Sequence, residues 1–229
     1  MMAYRLVECP SPNHDARDAS VDMLVLHYTG MKTADEALAR LTDPAAKVSA
    51  HYTIGRDGRV YRHVPEDRRA WHAGVSYWAG ARNINSRSIG IELVNPGHEF
   101  GYVPFTDEQI AALIDIAQEI IARHAIAPAR VVGHSDVAPA RKEDPGELFP
   151  WKALAEYGIG LWPQAGVQTA PQDALRQYGY GLPPDVEWLA KDAVVAFQRR
   201  FRPKKLDGLW DMECALRLAS LLAQARAMS

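Results

Sequence analysis

Long hydrophobic runs are missing from this 229-residue chain, cysteine is nearly absent, and neither sign of charge dominates. Each shortage excludes something. No apolar stretch approaches the roughly 18–20 residues that a membrane-spanning helix requires. The opening segment MMAYRLVECPSPNHDARDAS has no apolar run of the kind a secretion signal carries, so the reading at this level is a protein that is not exported. Two cysteines far apart, Cys9 and Cys214, make no disulfide framework and suit a reducing, cytoplasmic compartment. With 26 Lys and Arg against 28 Asp and Glu, the net charge is −2, and no global basic surface offers itself to nucleic acid. Sixteen glycines and fifteen prolines are too few for a collagen-like or low-complexity chain.

What is present reads as an α/β protein with a small helical appendage. VDMLVL (21–26) is a buried strand that runs out at His27. TADEALARL (33–41) opens on a Thr33–Glu36 capping box and reads as a helix. SAHYTI (49–54) and GRDGRVYRHV (55–64) read as strand, Asp-Gly turn, strand. SIGIELV (88–94) alternates as a half-buried strand. TDEQIAALIDIAQEIIARH (106–124) has a second capping box, Thr106 with Gln109, and one apolar face. ARVVGHSDVAP (129–139) is a strand running out at His134. This alternation predicts a mixed central β-sheet flanked by helices over residues 1–163. A Gly-, Pro-, Gln- and Thr-rich stretch suggests a linker at 164–173. Helical patterning at 174–179, 187–201 and 211–225 then predicts a three-helix domain over 174–229, too small to bury much by itself.

His27 and His134 both end apolar strands, the edge of an α/β sheet where ligands gather. Asp144 follows ten residues after His134. Two imidazoles and one carboxylate would make a three-ligand zinc set with a fourth position open. Each also has a plain reading as a packed or surface residue. Glu92 shares its strand face with Ser88 and Gly90. A carboxylate there is costly unless it is paired or faces a cleft, and a general base needs such a place. Lys142 stands two residues before Asp144, as an oxyanion stabiliser or a solvated loop lysine. AWHAGVSYWAGARNINSR (70–87) combines Trp71, His72, Tyr77 and Trp78 with Arg82, Asn83, Asn85 and Arg87, suited to a glycan or peptide groove, although core packing accounts for at least one tryptophan. His51, in an alternating strand, competes as a ligand but reads better as packing or orienting a neighbour. The run RRFRPKK (199–205) reads as a solvated face more than as a carboxylate-binding site.

Taken together, LHYT (26–29), VSAHYTI (48–54), AWHAGVSYWAGARNIN (70–85), SIGIELVN (88–95), VVGHSDVAPARKEDPGELFPW (131–151) and GIGLWP (158–163) resemble the zinc-dependent N-acetylmuramoyl-L-alanine amidases of the type 2 amidase fold, in particular their AmpD/AmiD branch. The tail from LRQYGYGL to LDGLWD (175–211) resembles the peptidoglycan-binding-like helical domain that follows the amidase in part of that branch. The resemblance implies one catalytic Zn²⁺ on His27, His134 and Asp144, with Glu92 as the base on the attacking water and Lys142 steadying the tetrahedral intermediate. It makes Trp71, His72, Arg82 and Asn83 the candidate substrate contacts. It implies as substrate a muropeptide or 1,6-anhydro-muropeptide, cut between the muramic lactyl group and L-alanine. Combined with the unexported reading, it points to peptidoglycan recycling. A non-catalytic peptidoglycan-binding module and an exported amidase are the rival readings. No His-Glu-x-x-His motif favours a zincin-type peptidase.

Overall fold

The computed structural model describes residues 4–181 and 190–228. Its frame is a six-stranded sheet built from β1 (Leu6–Glu8), β3 (Met23–Tyr28), β4 (Tyr52–Ile54), β5 (Val60–Arg62), β9 (Ser88–Leu93) and β10 (Val131–Gly133). Across the sheet the order is β1-β5-β4-β9-β3-β10. All neighbours are parallel except the β4–β5 hairpin, so the sheet is mixed, as the alternation of elements predicts. Two short ribbons lie beside it: β2 (His14–Ala16) with β6 (Arg68–Ala70), and β7 (Tyr77–Trp78) with β8 (Ala81–Arg82).

Parallel register decides which residues share a face. Leu24 stands beside Ile89, Leu26 beside Ile91 and Tyr28 beside Leu93, while Val25 stands beside Gly90 and His27 beside Glu92. Side chains alternate along a strand, so the first set forms one apolar layer and the second faces the other way. The apolar layer is covered by α4 (Asp107–His124) through Leu113, Ile116, Ala117 and Ile120. That helix starts where the sequence pattern places it: the Thr106 hydroxyl accepts from Gln109 N–H, and the Gln109 side chain accepts in return from Thr106 N–H. Helix α1 (Ala34–Thr42) forms half of its expected capping box: the Thr33 hydroxyl accepts from Glu36 N–H, while the Glu36 carboxylate reaches past Thr33 to accept from Lys32 N–H. The short helices α2 (Ile84–Arg87), α3 (Gly97–Phe100), α5 (His134–Val137) and α6 (Trp151–Glu156) fill the connections.

The opposite face carries the appended helices α7 (Leu175–Tyr178), α8 (Ala190–Phe201) and α9 (Met212–Ala227). They do not build a core of their own. Phe197, Phe201, Leu218 and Leu221 join Met23, Val25 and Val132 of the sheet in one apolar cluster, with Trp78 and Tyr180 between them. The linker stretch is fastened rather than loose: Gln164 N–H donates to Ser220 Oγ, and Ala170 N–H to the Ala215 carbonyl. The expectation of a solvated 199–205 face is corrected here. Arg199, Arg200 and Arg202 are buried, because their ion partners Glu143, Asp136, Asp207 and Asp211 are supplied from within the fold. The part of α8 that would begin at residue 187 lies outside the described residues.

Arg17, just after β2, ties this frame behind the site, donating to the carbonyls of Glu66, Ser86 and Ser88. His51 sits against it, accepting from Gly90 N–H at Nδ1 and giving its Nε2 proton to the Arg68 carbonyl. Burial, with Arg17 adding, pushes the His51 imidazole down from 6.5 to about 3. The native state therefore binds fewer protons here than the unfolded chain between those values, and stability rises with pH across that window. In urea unfolding of metal-free protein, this group should remove about 2 kcal/mol of stability between pH 7 and pH 5. The His51→Gln variant should lose that part of the pH dependence, and an unchanged pH dependence in the variant would mean that His51 is not buried in its neutral form.

Candidate active site

The β3–β9 register places His27 and Glu92 side by side, one residue before the carboxyl ends of their strands. β10 pairs with the other edge of β3 and ends one residue before His134, which opens α5 at the same sheet edge. The loop after α5 returns Asp144 to this point, its carbonyl accepting from Ser135 N–H. Three donor atoms thereby converge. His27 Nδ1 and His134 Nδ1 lie 2.9 Å apart, and each is 3.0 Å from Asp144 Oδ2. All three residues are buried. Among the described residues this is the one group of His, Cys, Asp or Glu placed to hold a metal ion. His51, the competing ligand, lies away from it.

The ring nitrogens that face away from the donor cluster have fixed partners, and the partners set the tautomers. Ser88 Oγ is 2.6 Å from the Ile84 carbonyl, which has no proton to give, so the hydroxyl donates there. Its lone pairs then face His72 Nε2 at 3.1 Å, which must carry the proton. His72 is neutral, since burial first and the neighbouring imidazoles second hold it well below its ordinary range. Its Nδ1 is therefore bare and accepts the Nε2 proton of His27 at 3.0 Å. His27 Nδ1 is left with a free lone pair toward the cluster. Gly90 makes the room: a Cβ there would come within 2.5 Å of the His72 ring. His134 is oriented by a different group, giving its Nε2 proton to the Ala73 carbonyl at 3.1 Å. Arg141 donates to the same oxygen at 2.8 Å. Asn85 Oδ1 holds this stretch in place by accepting from His72 N–H and Ala73 N–H.

The electrostatics suit a cation. Burial and His134 push the His27 imidazole down to about 4, so it is neutral near pH 7. Burial alone would raise the Asp144 carboxyl, but His134 and His27 outweigh it and hold the group below the usual carboxylate range. Glu92 goes the other way. Burial, then the Asp144 charge, push its carboxyl well above the ordinary range, against the pull of Lys142. Its Oε2 is buried and makes no hydrogen bond among the described residues. A carboxyl raised by its surroundings beside a metal-ligand set is the arrangement of a general acid–base group.

Above the cluster opens a cleft of about 390 Å³ whose walls include Trp71, His72, Glu92, Lys142 and Arg40. Arg82 and Asn83 are not on those walls. Arg82 belongs to β8, and exposed Asn83 takes a left-handed conformation and donates to Asp18. Trp78 is a core residue packed on Tyr180, and Arg87 pairs with Asp22. Sequence reasoning misses Ser88, Ala73 and Asn85 as orienting groups. The signal available for Ser88 is its place on the same strand face as Glu92.

Two imidazoles and a carboxylate at the carboxyl edge of a mixed sheet, with a buried carboxyl beside them, are a set that could hold one metal ion, the arrangement that a mononuclear hydrolase needs. Residues 17–147 match the family described as N-acetylmuramoyl-L-alanine amidase, and the chain belongs to that family. It is 42% identical over 221 residues to the N-acetylmuramoyl-L-alanine amidase AmiD of Escherichia coli K12, covering 84% of this chain and 79% of AmiD. It is 38% identical over 161 residues to the 1,6-anhydro-N-acetylmuramyl-L-alanine amidase AmpD of Enterobacter cloacae, covering 62% of this chain and 84% of AmpD. Among solved structures, E. coli AmiD in complex with anhydro-N-acetylmuramic acid-L-Ala-D-γ-Glu-L-Lys superposes with a TM-score of 0.78 at 39% identity, over 92% of both chains. AmpDh3 of Pseudomonas aeruginosa superposes with a TM-score of 0.80 at 38% identity, over 89% of this chain and 92% of that one. A further AmpDh3 structure contains an anhydromuramic pentapeptide.

If the His72–Ser88 chain sets the His27 tautomer, removing it should weaken metal binding without touching a ligand. His72→Leu should raise the dissociation constant for a divalent metal about 10- to 100-fold, and Ser88→Ala less. Chelator-competition titration measures both. An unchanged constant in His72→Leu would show that His27 needs no such support.

Proposed function

We propose that the chain is a zinc-dependent amidase that hydrolyses the lactyl amide between N-acetylmuramic or 1,6-anhydro-N-acetylmuramic acid and the L-alanine of muropeptides. The observation that carries this reading is the unpartnered, buried Glu92 Oε2 beside the His27–His134–Asp144 cluster. Zinc suits the donors: ligand atoms about 2.0–2.1 Å from a tetrahedral ion stand about 3.3 Å apart, close to the separations seen. Bound there, zinc supplies Lewis-acid activation of water and of the lactyl carbonyl.

The chain's own groups supply the rest. Glu92 takes the proton of the attacking water and delivers it to the departing L-alanine nitrogen, so that the C–O bond forms and the C–N bond breaks with no net proton change at the carboxylate. Lys142, on the cleft wall, offers an ammonium to the oxyanion of the tetrahedral intermediate. Trp71 offers a ring face to the sugar or peptide. Arg82 and Asn83 lie off the cleft walls, which leaves them as contacts only for the outer stem peptide.

The relatives favour the anhydro substrate, since one is named for it and two of the structures contain it. The proposed role is recycling in the cytoplasm, with the unpaired thiols of Cys9 and Cys214 in keeping with a reducing compartment. We further propose that residues 164–173 join an amidase domain to a helical unit at 174–229. The non-catalytic alternative requires a defective site, and the residues that the amidase reading needs, His27, His134, Asp144, Glu92 and Lys142, are all present in the chain.

Glu92→Gln should keep one zinc per chain while losing about 10²- to 10⁴-fold in turnover of anhydro-N-acetylmuramoyl-L-Ala-D-Glu-meso-diaminopimelate. Full activity of that variant would remove Glu92 as the base. Absence of cleavage by the zinc-loaded unaltered enzyme would leave the binding-module reading.

A further inference from the structure

The appended helices do more than cover a sheet face. Asp136 follows His134 by two residues and is 1% exposed. Its Oδ2 accepts from Gly133 N–H at 2.8 Å and from Arg200 Nη1 at 2.7 Å, and its Oδ1 accepts from the Tyr180 hydroxyl. Arg200 lies on α8, and its Nη2 donates to the Val131 carbonyl at 3.0 Å. One guanidinium therefore holds the β10–α5 turn on both sides of His134, at Val131 before it and Asp136 after it. The guanidinium is itself fixed against the Trp151 ring, 4.0 Å from its centre. The preceding residue, Arg199, reaches the other ligand-bearing segment, donating to Glu143 Oε1 at 3.2 Å. Glu143 stands between Lys142 and Asp144.

From these contacts we infer that α8 is a structural brace of the metal site, with Arg200 as a positioning residue for His134 and Arg199 a weaker one for Asp144. The inference rests on the reading of His27, His134 and Asp144 as metal ligands. Stability alone gives little reason for such a pair. A buried ion pair is on balance often neutral against apolar residues of equal volume, while losing one partner costs about 3–5 kcal/mol. What the pair adds is direction: a planar fork fixes two oxygens at once, which an ammonium cannot. The placement also limits what this helix does for the cell wall. Both guanidinia are buried against the amidase half and are not available to a polymer outside.

The test uses the full chain and reads metal binding, not turnover. Arg200→Met leaves Asp136 buried and unpaired. The double variant Asp136→Asn, Arg200→Met removes both charges. The amide oxygen introduced at position 136 still accepts from Gly133 N–H or the Tyr180 hydroxyl, which restores folding. Arg200→Lys keeps the charge and can reach one of the two oxygens. In each, zinc affinity is measured by chelator competition, and the cobalt(II)-substituted protein is recorded in its visible absorption bands, at a temperature where circular dichroism shows native structure. The double variant should bind zinc about 10- to 100-fold more weakly than the unaltered chain, with shifted cobalt bands, even where its melting temperature is recovered. Arg200→Lys should fall between. A folded double variant with unaltered zinc affinity and cobalt bands would overturn the inference and reduce α8 to packing. Failure of the unaltered chain to bind zinc would instead strike the metal-site reading itself.

Discussion

The parallel pairing of β3 with β9 is the constraint on which the rest depends. It sets His27 opposite Glu92, and with β10 on the other side of β3 it brings His134 to the same edge. Had either strand slipped by one residue, one of these side chains would have turned into the apolar layer beneath α4. The apolar partners Leu24–Ile89 and Leu26–Ile91 hold the register, because a slip would expose them in exchange for buried polar groups. Core packing on one face is thus the device that aims the chemistry on the other.

Gathering His27, Glu92, His134 and Asp144 at one sheet edge raises a second problem: each must find a partner or a reason to lack one. Most are satisfied. His27 leads through His72 and Ser88 to the Ile84 carbonyl, and His134 to the Ala73 carbonyl. The small residues Ser88 and Gly90 make a slot for His72 that any side chain at Gly90 would close. Glu92 Oε2 is the exception, and an unsatisfied buried carboxyl oxygen at a cleft floor is where reacting groups are expected to arrive. Satisfaction of the two imidazoles and the lone Glu92 oxygen at the cleft floor belong to one arrangement.

Much of this was legible in the residues. Strand periodicity and two capping boxes marked β3, β9, α1 and α4 within a residue or two, because those signals are local. His27, Glu92, His134 and Asp144 stood out because each falls where an apolar pattern stops or where a charge interrupts one. The role of His72 was not legible. Its neighbours in sequence are groove residues, and its depth depends on Gly90, in a strand that the chain reaches only after a further ribbon and helix. The arginines of α8 stand in a charge run, and charge runs usually lie on solvated faces. Arg200 nevertheless continues the apolar stripe of Ala193 and Phe197 at helical spacing, and its partner Asp136 lies 64 residues earlier. Long-range polar pairs carry no periodicity, so no local pattern announces them.

In the proposed reading, the fold holds His27, His134 and Asp144 ready for one zinc ion beside Glu92. Anomalous diffraction at the zinc absorption edge, from crystals of the zinc-loaded protein, tests it directly. The expected result is a single strong peak about 2.0–2.2 Å from His27 Nδ1, His134 Nδ1 and an Asp144 oxygen. A peak centred elsewhere, or on the opposite nitrogen of either imidazole, would contradict it.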